Sequence, residues 1–340
     1  VPLTIVGIDE AGYGPLLGPL TVGAAAFRVE GWQEGDPAPD LWALLDGCVA
    51  RKGVGRGASA GRARVLVDDS KKLKLASGGK RHPLTLLERG VLAFVAALGA
   101  RPATDAELLG VLGVKREPHP WYAGEAAALP VGGTAEEVGI ACNQFCRRLL
   151  EHAGACEVVG LRCESIGETR FNAIVRETGT KAAATARGVS AHLKWAWERF
   201  SKVAEGEAVR VVCDRQGGRS DYADELAKMV PGAMVKTLEC RAERSRYELA
   251  GVGEDGAARG MTVVFQPEAE SAHMPVALAS MTAKLVRELM MARFNRYWTG
   301  LMPELKPTAG YREDGARWVR DAERGGVLSG VVRGALCRIA

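Results

Sequence analysis

Four acidic residues stand where short apolar runs give out. Asp9 and Glu10 follow Leu3 to Ile8, Asp214 follows Val209 to Cys213, and Glu270 comes a few residues after Met261 to Phe265. Apolar, β-branched runs bounded by glycine and polar residues predict buried strands, so the carboxylates belong at strand ends. Carboxylates there are poor core residues and good ligands for hard cations such as Mg²⁺ and Mn²⁺, which prefer oxygen. The chemistry such a cluster supports is metal-assisted phosphoryl transfer. It converges only if the strands are neighbours. Taken singly, each carboxylate has a plainer role as a helix cap or a solvated turn. Successive side chains of a strand also face opposite ways, which counts against Asp9 and Glu10 sharing one ion unless the glycine-rich exit twists both to one side.

The residues around these positions form ordered blocks. Gly7-Ile8-Asp9-Glu10-Ala11-Gly12-Tyr13-Gly14-Pro15-Leu16-Leu17-Gly18-Pro19 resembles the opening motif of the type 2 ribonucleases H, the ribonuclease HII and HIII group. Asp69-Ser70-Lys71-Lys72-Leu73 is similar to the second signature of that group, Cys213-Asp214 to its third carboxylate, and Ala279-Ser280-Met281-Thr282-Ala283-Lys284 to its Ala-Ser-Ile-x-Ala-Lys helix. In the family the fourth carboxylate precedes the serine of that helix by a fixed interval, which leads back from Ser280 to Glu270. A glutamate there resembles the HIII form, because HII has aspartate. Glu268 competes with Glu270, since two residues apart in a strand they would face the same side. Glu288 is a weaker competitor, read as a surface charge paired with Lys284 at i,i+4.

Two features bear on substrate choice. The family's HII members carry Gly-Arg-Gly in the opening loop, and their arginine helps to read a junction between ribonucleotide and DNA. Here the triplet is Gly12-Tyr13-Gly14, and tyrosine supplies neither the charge nor the forked donors of a guanidinium. The two glycines keep the ability to bring backbone amides close to a phosphate or a 2′-hydroxyl. Ala309-Gly310-Tyr311-Arg312-Glu313-Asp314 resembles the Ser-Gly-Tyr-Pro-x-Asp segment of archaeal and eukaryotic relatives, which makes Tyr311 a candidate for packing beside the substrate sugar.

With 45 Lys and Arg against 41 Asp and Glu, the net charge of +4 does not by itself announce nucleic acid. The distribution says more. Arg51 to Arg64 is glycine-rich and basic, and three lysines fall between 71 and 74; of these, Lys71 and Lys72 lie inside a matched block and are the candidate phosphate contacts. Eight cysteines and five histidines fall in no zinc-ligand spacing, so buried reduced thiols are expected. No signal peptide and no apolar run of membrane-spanning length is visible, which predicts a cytoplasmic protein with no membrane partner.

The matched blocks run from Gly7 to Asp314, which predicts one catalytic domain over residues 1–340 with insertions near 31–61 and 101–160. A short helix is expected over Leu41 to Ala50. Longer ones are expected over Ala135 to Ala153, with Val138, Ala141, Cys142, Phe145 and Leu149 on one face, over Thr185 to Val203, and over Ala277 to Tyr297, where Met281, Leu285, Leu289 and Phe294 read as packing residues. The resemblance implies an α/β fold, a ribonuclease H-like mixed β-sheet flanked by helices. It also implies hydrolysis of the RNA strand of RNA/DNA hybrids with two divalent ions, Mg²⁺ or Mn²⁺, leaving 5′-phosphate and 3′-hydroxyl ends. Asp9, Glu10, Asp214 and Glu270 would be both metal ligands and catalytic residues; Gly12, Tyr13, Gly14, Lys71, Lys72 and Tyr311 would meet the substrate. The alternatives are a hybrid-binding protein with little catalysis and a nuclease of the same fold acting on DNA or branched substrates.

Overall fold

Strand β1 (Leu3–Ala11) is buried on both faces along its apolar part, as a near-continuous hydrophobic run requires of a central strand. The computed structural model describes residues 1–53, 64–76, 78–152, 154–215 and 219–339. Beside β1 lie β2 (Leu20–Val29), antiparallel, and β6 (Ala208–Asp214), parallel. Two short strands, β3 (Val49–Ala50) and β4 (Val65–Leu66), pair apart from this sheet. The main sheet is completed by β5 (Cys156–Ile166) outside β2, and by β9 (Ala258–Gln266), β8 (Ser245–Val252) and β7 (Ala233–Cys240) beyond β6. The order is β5-β2-β1-β6-β9-β8-β7, with β9 parallel to β6 and the β7–β8 hairpin antiparallel. Helices flank both faces, so the chain forms the expected mixed α/β sheet.

Alternation along β1 and β2 divides the core. Val6, Ile8, Val22, Ala24 and Ala26 pack with Val189, Leu193 and Trp197 of the Ala182–Phe200 helix. Ala25, Phe27 and Val29 face the other way, toward the Met274–Leu301 and Thr85–Ala97 helices. The long helix lies unusually close to the sheet at two glycines. A Cβ on Gly7 would stand 2.2 Å from the Pro275 carbonyl carbon, and one on Gly23 would stand 2.2 Å from the Ala279 carbonyl oxygen. Only glycine permits that approach.

Several elements depart from their expected bounds. β1 continues to Ala11, so Asp9 and Glu10 are still in register with β2 where a loop was expected. The helix expected over Leu41 to Ala50 is one turn, Leu41–Leu44, capped by Asp40, after which the chain turns into β3. The other three run Ala135–Glu151, Ala182–Phe200 and Met274–Leu301. Thr134 and Glu137 form a capping box that fixes the start of the first. Met281, Leu285, Leu289 and Phe294 are buried, as packing residues should be. Residues 101–160 carry three helices, and the first is tied to the long helix by a buried bidentate pair, Arg293 with Asp105, at 2.7 Å for both bonds. Most of the basic stretch Arg51 to Arg64 lies outside the described residues. Among the described residues no helix is long and apolar enough to cross a membrane, and the cysteines are free, with Cys240 exposed.

Candidate active site

Register brings the first and third carboxylates together. Ile8 pairs with Cys213, so Asp9 and Asp214 follow side by side at the ends of parallel strands, with Gln266 of β9 paired to Asp214. Asp9 pairs on its other side with Gly23 and therefore faces the long helix. The close approach at Gly23 places Ser280 there, beside the Asp9 carboxylate, whose pKa it lowers. The Ser280 hydroxyl also lies 3.0 Å from that of Ser70 in the second signature block. Two of the family-like motifs thus meet at Asp9.

The electrostatics match a crowded acidic cluster. Burial first, and the Glu10 charge next, push the Asp9 carboxyl well above its usual range, with Asp214 adding to the effect and Ser280 opposing it. Glu10 is pushed up to about 7, again by burial first and then by Asp214, against the attraction of Lys71. Asp214 is raised by burial, although the Ala269 amide donates to it at 3.0 Å. Burial likewise raises Glu270, helped by the Asp214 and Asp69 charges. Carboxyls raised by burial and by their acidic neighbours resist ionising together until a cation joins them.

The two candidates for the fourth position do not share a strand face. Glu268 is exposed in a turn with a left-handed backbone, φ 51°, while Glu270 lies within the helical turn Ala269–Ala272. Glu270 has a buried carboxylate oxygen, Oε2, with no hydrogen-bond partner. Among the described residues no group of three acidic, histidine or cysteine side chains is already drawn into an arrangement that could hold a metal ion. The donor set nevertheless suits a hard divalent cation: oxygen ligands only, mutually repelling, one of them buried and unsatisfied.

The two signature lysines separate. Lys71 lowers the pKa of Glu10, Asp214 and Glu270, which sets it beside the cluster. Lys72 turns back to Asp68 at 3.2 Å. The two loop glycines differ as well. Gly12 has φ 89°, and a Cβ there would stand 2.7 Å from Arg287 Cδ, so this glycine is needed by the backbone. Gly14 has nothing within 4 Å of its missing Cβ and is free to approach a ligand. Tyr13 is 45% exposed and Tyr311 48% exposed. Tyr311 accepts a long 3.4 Å hydrogen bond from Lys284, whose ammonium lies 5.8 Å from the ring centre. Glu288 is mostly buried rather than on the surface, and it is claimed by both Lys284 at 2.9 Å and Lys74 at 2.7 Å. Those lysines outweigh the burial that would raise it.

Arg287 had drawn no attention in the sequence. Buried in the long helix, it donates to the carbonyls of Pro19 at 2.7 Å, Leu17 at 3.1 Å and Ala309 at 3.0 Å. It therefore fastens the opening loop to the Tyr311 segment, and the Leu16 and Leu17 amides add bonds to Gly310. From the other side Glu168, fully buried, accepts from the Gly18 amide and the Tyr122 hydroxyl. A charge three residues after Lys284, among otherwise core positions of that helix, was the available signal.

The chain matches no family model and no curated protein sequence. The solved structures to which it is similar include three ribonucleases. One is ribonuclease HII from Archaeoglobus fulgidus, solved in a PCNA complex, at 12% identity over 99% of this chain and 94% of that one, with a TM-score of 0.39. Another is the Bst ribonuclease HIII in complex with Mn²⁺, at 14% identity over 99% of this chain but 66% of that one, TM-score 0.41. The third is ribonuclease H2 from Pyrococcus horikoshii OT3, at 12% identity over 98% and 95%, TM-score 0.40.

Proposed function

We propose that this protein is a metal-dependent endonuclease of the ribonuclease H type that hydrolyses the RNA strand of RNA/DNA hybrids, leaving 5′-phosphate and 3′-hydroxyl ends. The observation that carries the proposal is the pairing of Asp9 and Asp214 at adjacent strand ends, with Asp214 close enough to Glu10 and Glu270 to raise the pKa of both. The ordered motif blocks supply the reaction type. The catalytic domain takes in residues 1–340, with the insertions near 31–61 and 101–160.

Asp9, Glu10, Asp214 and Glu270 would hold Mg²⁺ or Mn²⁺, which when bound supplies charge neutralisation at the phosphoryl group and a more acidic water. Ser280 fixes the Asp9 carboxylate against the long helix. Lys71, beside the cluster, meets the negative charge of the scissile phosphate. The open backbone at Gly14, with Tyr13 and Tyr311, receives the sugar-phosphate chain. With tyrosine at position 13 and glutamate at 270, a tract of ribonucleotides is the preferred substrate.

The test compares cleavage of an RNA/DNA hybrid, a duplex with one embedded ribonucleotide, duplex RNA and duplex DNA, with Mg²⁺, Mn²⁺ or EDTA. Asp9→Asn and Asp214→Asn should each lower hybrid cleavage about 10³-fold, equivalent to several kcal/mol of barrier. Folding and hybrid binding should survive. Normal turnover by either variant would remove the site assignment, and cleavage of duplex DNA alone would replace the substrate.

A further inference from the structure

The sheet face that carries Asp9 and Asp214 does not end at the carboxylates. Pairing runs Gly7, Val212, Val264, Arg246 across β1, β6, β9 and β8, and Ile5, Arg210, Thr262, Glu248 one step below. Directly paired residues share a face, so Arg246 and Arg210 lie on the side that bears the carboxylates. Arg244 precedes β8 at the level of Gln266 and Asp214, two strand spacings or about 10 Å from the latter. Beyond β9 this face stays open: Glu248 of β8, and Lys236 and Met234 of β7, are exposed.

Positive charge there exceeds its counterions. Glu239 takes Arg244 at 2.7 Å and Arg241 at 3.8 Å, while among the described residues Arg210, Arg215 and Arg246 form no ion pair. Glu248 is shared with Lys236 at 3.6 Å. The Nε atoms of Arg215 and Arg246 are buried and make no hydrogen bond. Burial, followed by the nearby Arg246 and Arg244 charges, lowers the pKa of Arg210. Arginines crowded together with unused donors are matched by an array of anionic oxygens, which bidentate guanidinium groups suit.

We infer that the arginine face of the β7–β8 hairpin, Arg244 and Arg246 above all, is a phosphate-tracking surface that carries the substrate duplex away from the carboxylates past the ends of β6 and β9, whose Val212 and Val264 are covered by Ala269 and Val276. This rests on the function proposed above and adds where the duplex lies. A duplex strand presents a phosphate about every 3.4 Å of axis, so the roughly 10 Å from Asp214 to Arg244 spans about three phosphates. Backbone contacts of this kind position the duplex and carry no sequence information.

The experiment measures binding of a fluorescein-labelled hybrid by anisotropy in EDTA, so that cleavage is absent, at several salt concentrations. Arg244→Ala with Arg246→Ala should weaken binding about tenfold near 0.1 M salt and reduce the slope of log affinity against log salt by roughly 1 to 2. Arg244→Lys with Arg246→Lys should recover most of the slope, which guards against a folding defect in the alanine pair. A DNA duplex of equal length should lose as much as the hybrid. Unchanged affinity and slope in the alanine pair, with its melting temperature preserved, would overturn the surface assignment alone. Failure of the unaltered protein to bind any duplex would remove the proposed function with it.

Discussion

Gly23→Ala tests whether the close approach of helix and sheet sets the site. The new Cβ would stand 2.2 Å from the Ala279 carbonyl oxygen and 3.2 Å from the Ala283 amide nitrogen. Ordinary contact needs about 1 Å more, and both partners are backbone, held in a strand and in a helix, so no side chain can swing aside. Overpacking of this kind costs about 3 kcal/mol, offset by up to ~1 kcal/mol because alanine restricts the unfolded chain more than glycine. A net loss of about 2 kcal/mol is expected in urea unfolding. The functional effect should be larger. Ser280 is the next residue after Ala279, so displacing the helix by about 1 Å moves its hydroxyl off Asp9, and misplacement of that size costs about 100-fold. Single-turnover cleavage of a hybrid at saturating Mg²⁺ reads this directly. Gly14→Ala is the control, because nothing lies within 4 Å of that position, and its stability should stay within ~0.5 kcal/mol. A Gly23→Ala protein with stability within ~0.5 kcal/mol of the parent and full cleavage would refute the link from strand packing to Asp9.

Glu270→Gln should nearly eliminate Mg²⁺-dependent cleavage, whereas Glu268→Gln should keep most of it; the reverse ranking would move the fourth ligand to the turn. Glu268→Gly should raise stability by about 1 kcal/mol, since φ 51° suits glycine better than glutamate, and a loss on urea unfolding would contradict this. His192 is buried, bonded to the Val22 carbonyl at 2.8 Å, and held down to about 4 by burial. The unfolded chain takes up that proton first, so its contribution to stability is complete above the ordinary histidine pKa and falls as pH drops toward 4. About 2 kcal/mol should go between pH 7 and 5 from this group, and His192→Gln should lack that component in paired urea titrations. A four-ribonucleotide tract should be cut with higher kcat/KM than a single embedded ribonucleotide in a matched duplex; a ratio near or below one would mean that Gly12, Gly14 and Tyr311 suffice for junction reading.

Much of the candidate site was legible as residue type and order. Apolar runs gave β1, β6 and β9, and carboxylates after such runs pointed to metal chemistry because hard ions and strand-end oxygens suit each other. Glycine was legible too, but its purposes were not. Gly12 serves Arg287 and a left-handed backbone, Gly14 faces open space, and Gly7 and Gly23 admit the long helix. A glycine records that a Cβ is forbidden or unnecessary there, and only its surroundings say which.

The chain itself therefore supplied the candidate side chains and the order in which they come. Tertiary structure decided what distance along the chain hides. Register alone set Asp9 against Asp214, more than two hundred residues away in sequence. A left-handed turn and a helical turn, where a strand had been expected, separated Glu268 from Glu270. Likewise, a lysine pair adjacent in sequence split between the cluster and Asp68, and Arg287 became the fastening of two loops. Spacing within an element follows from its period, but which elements become neighbours depends on packing between faces, and no local pattern encodes that.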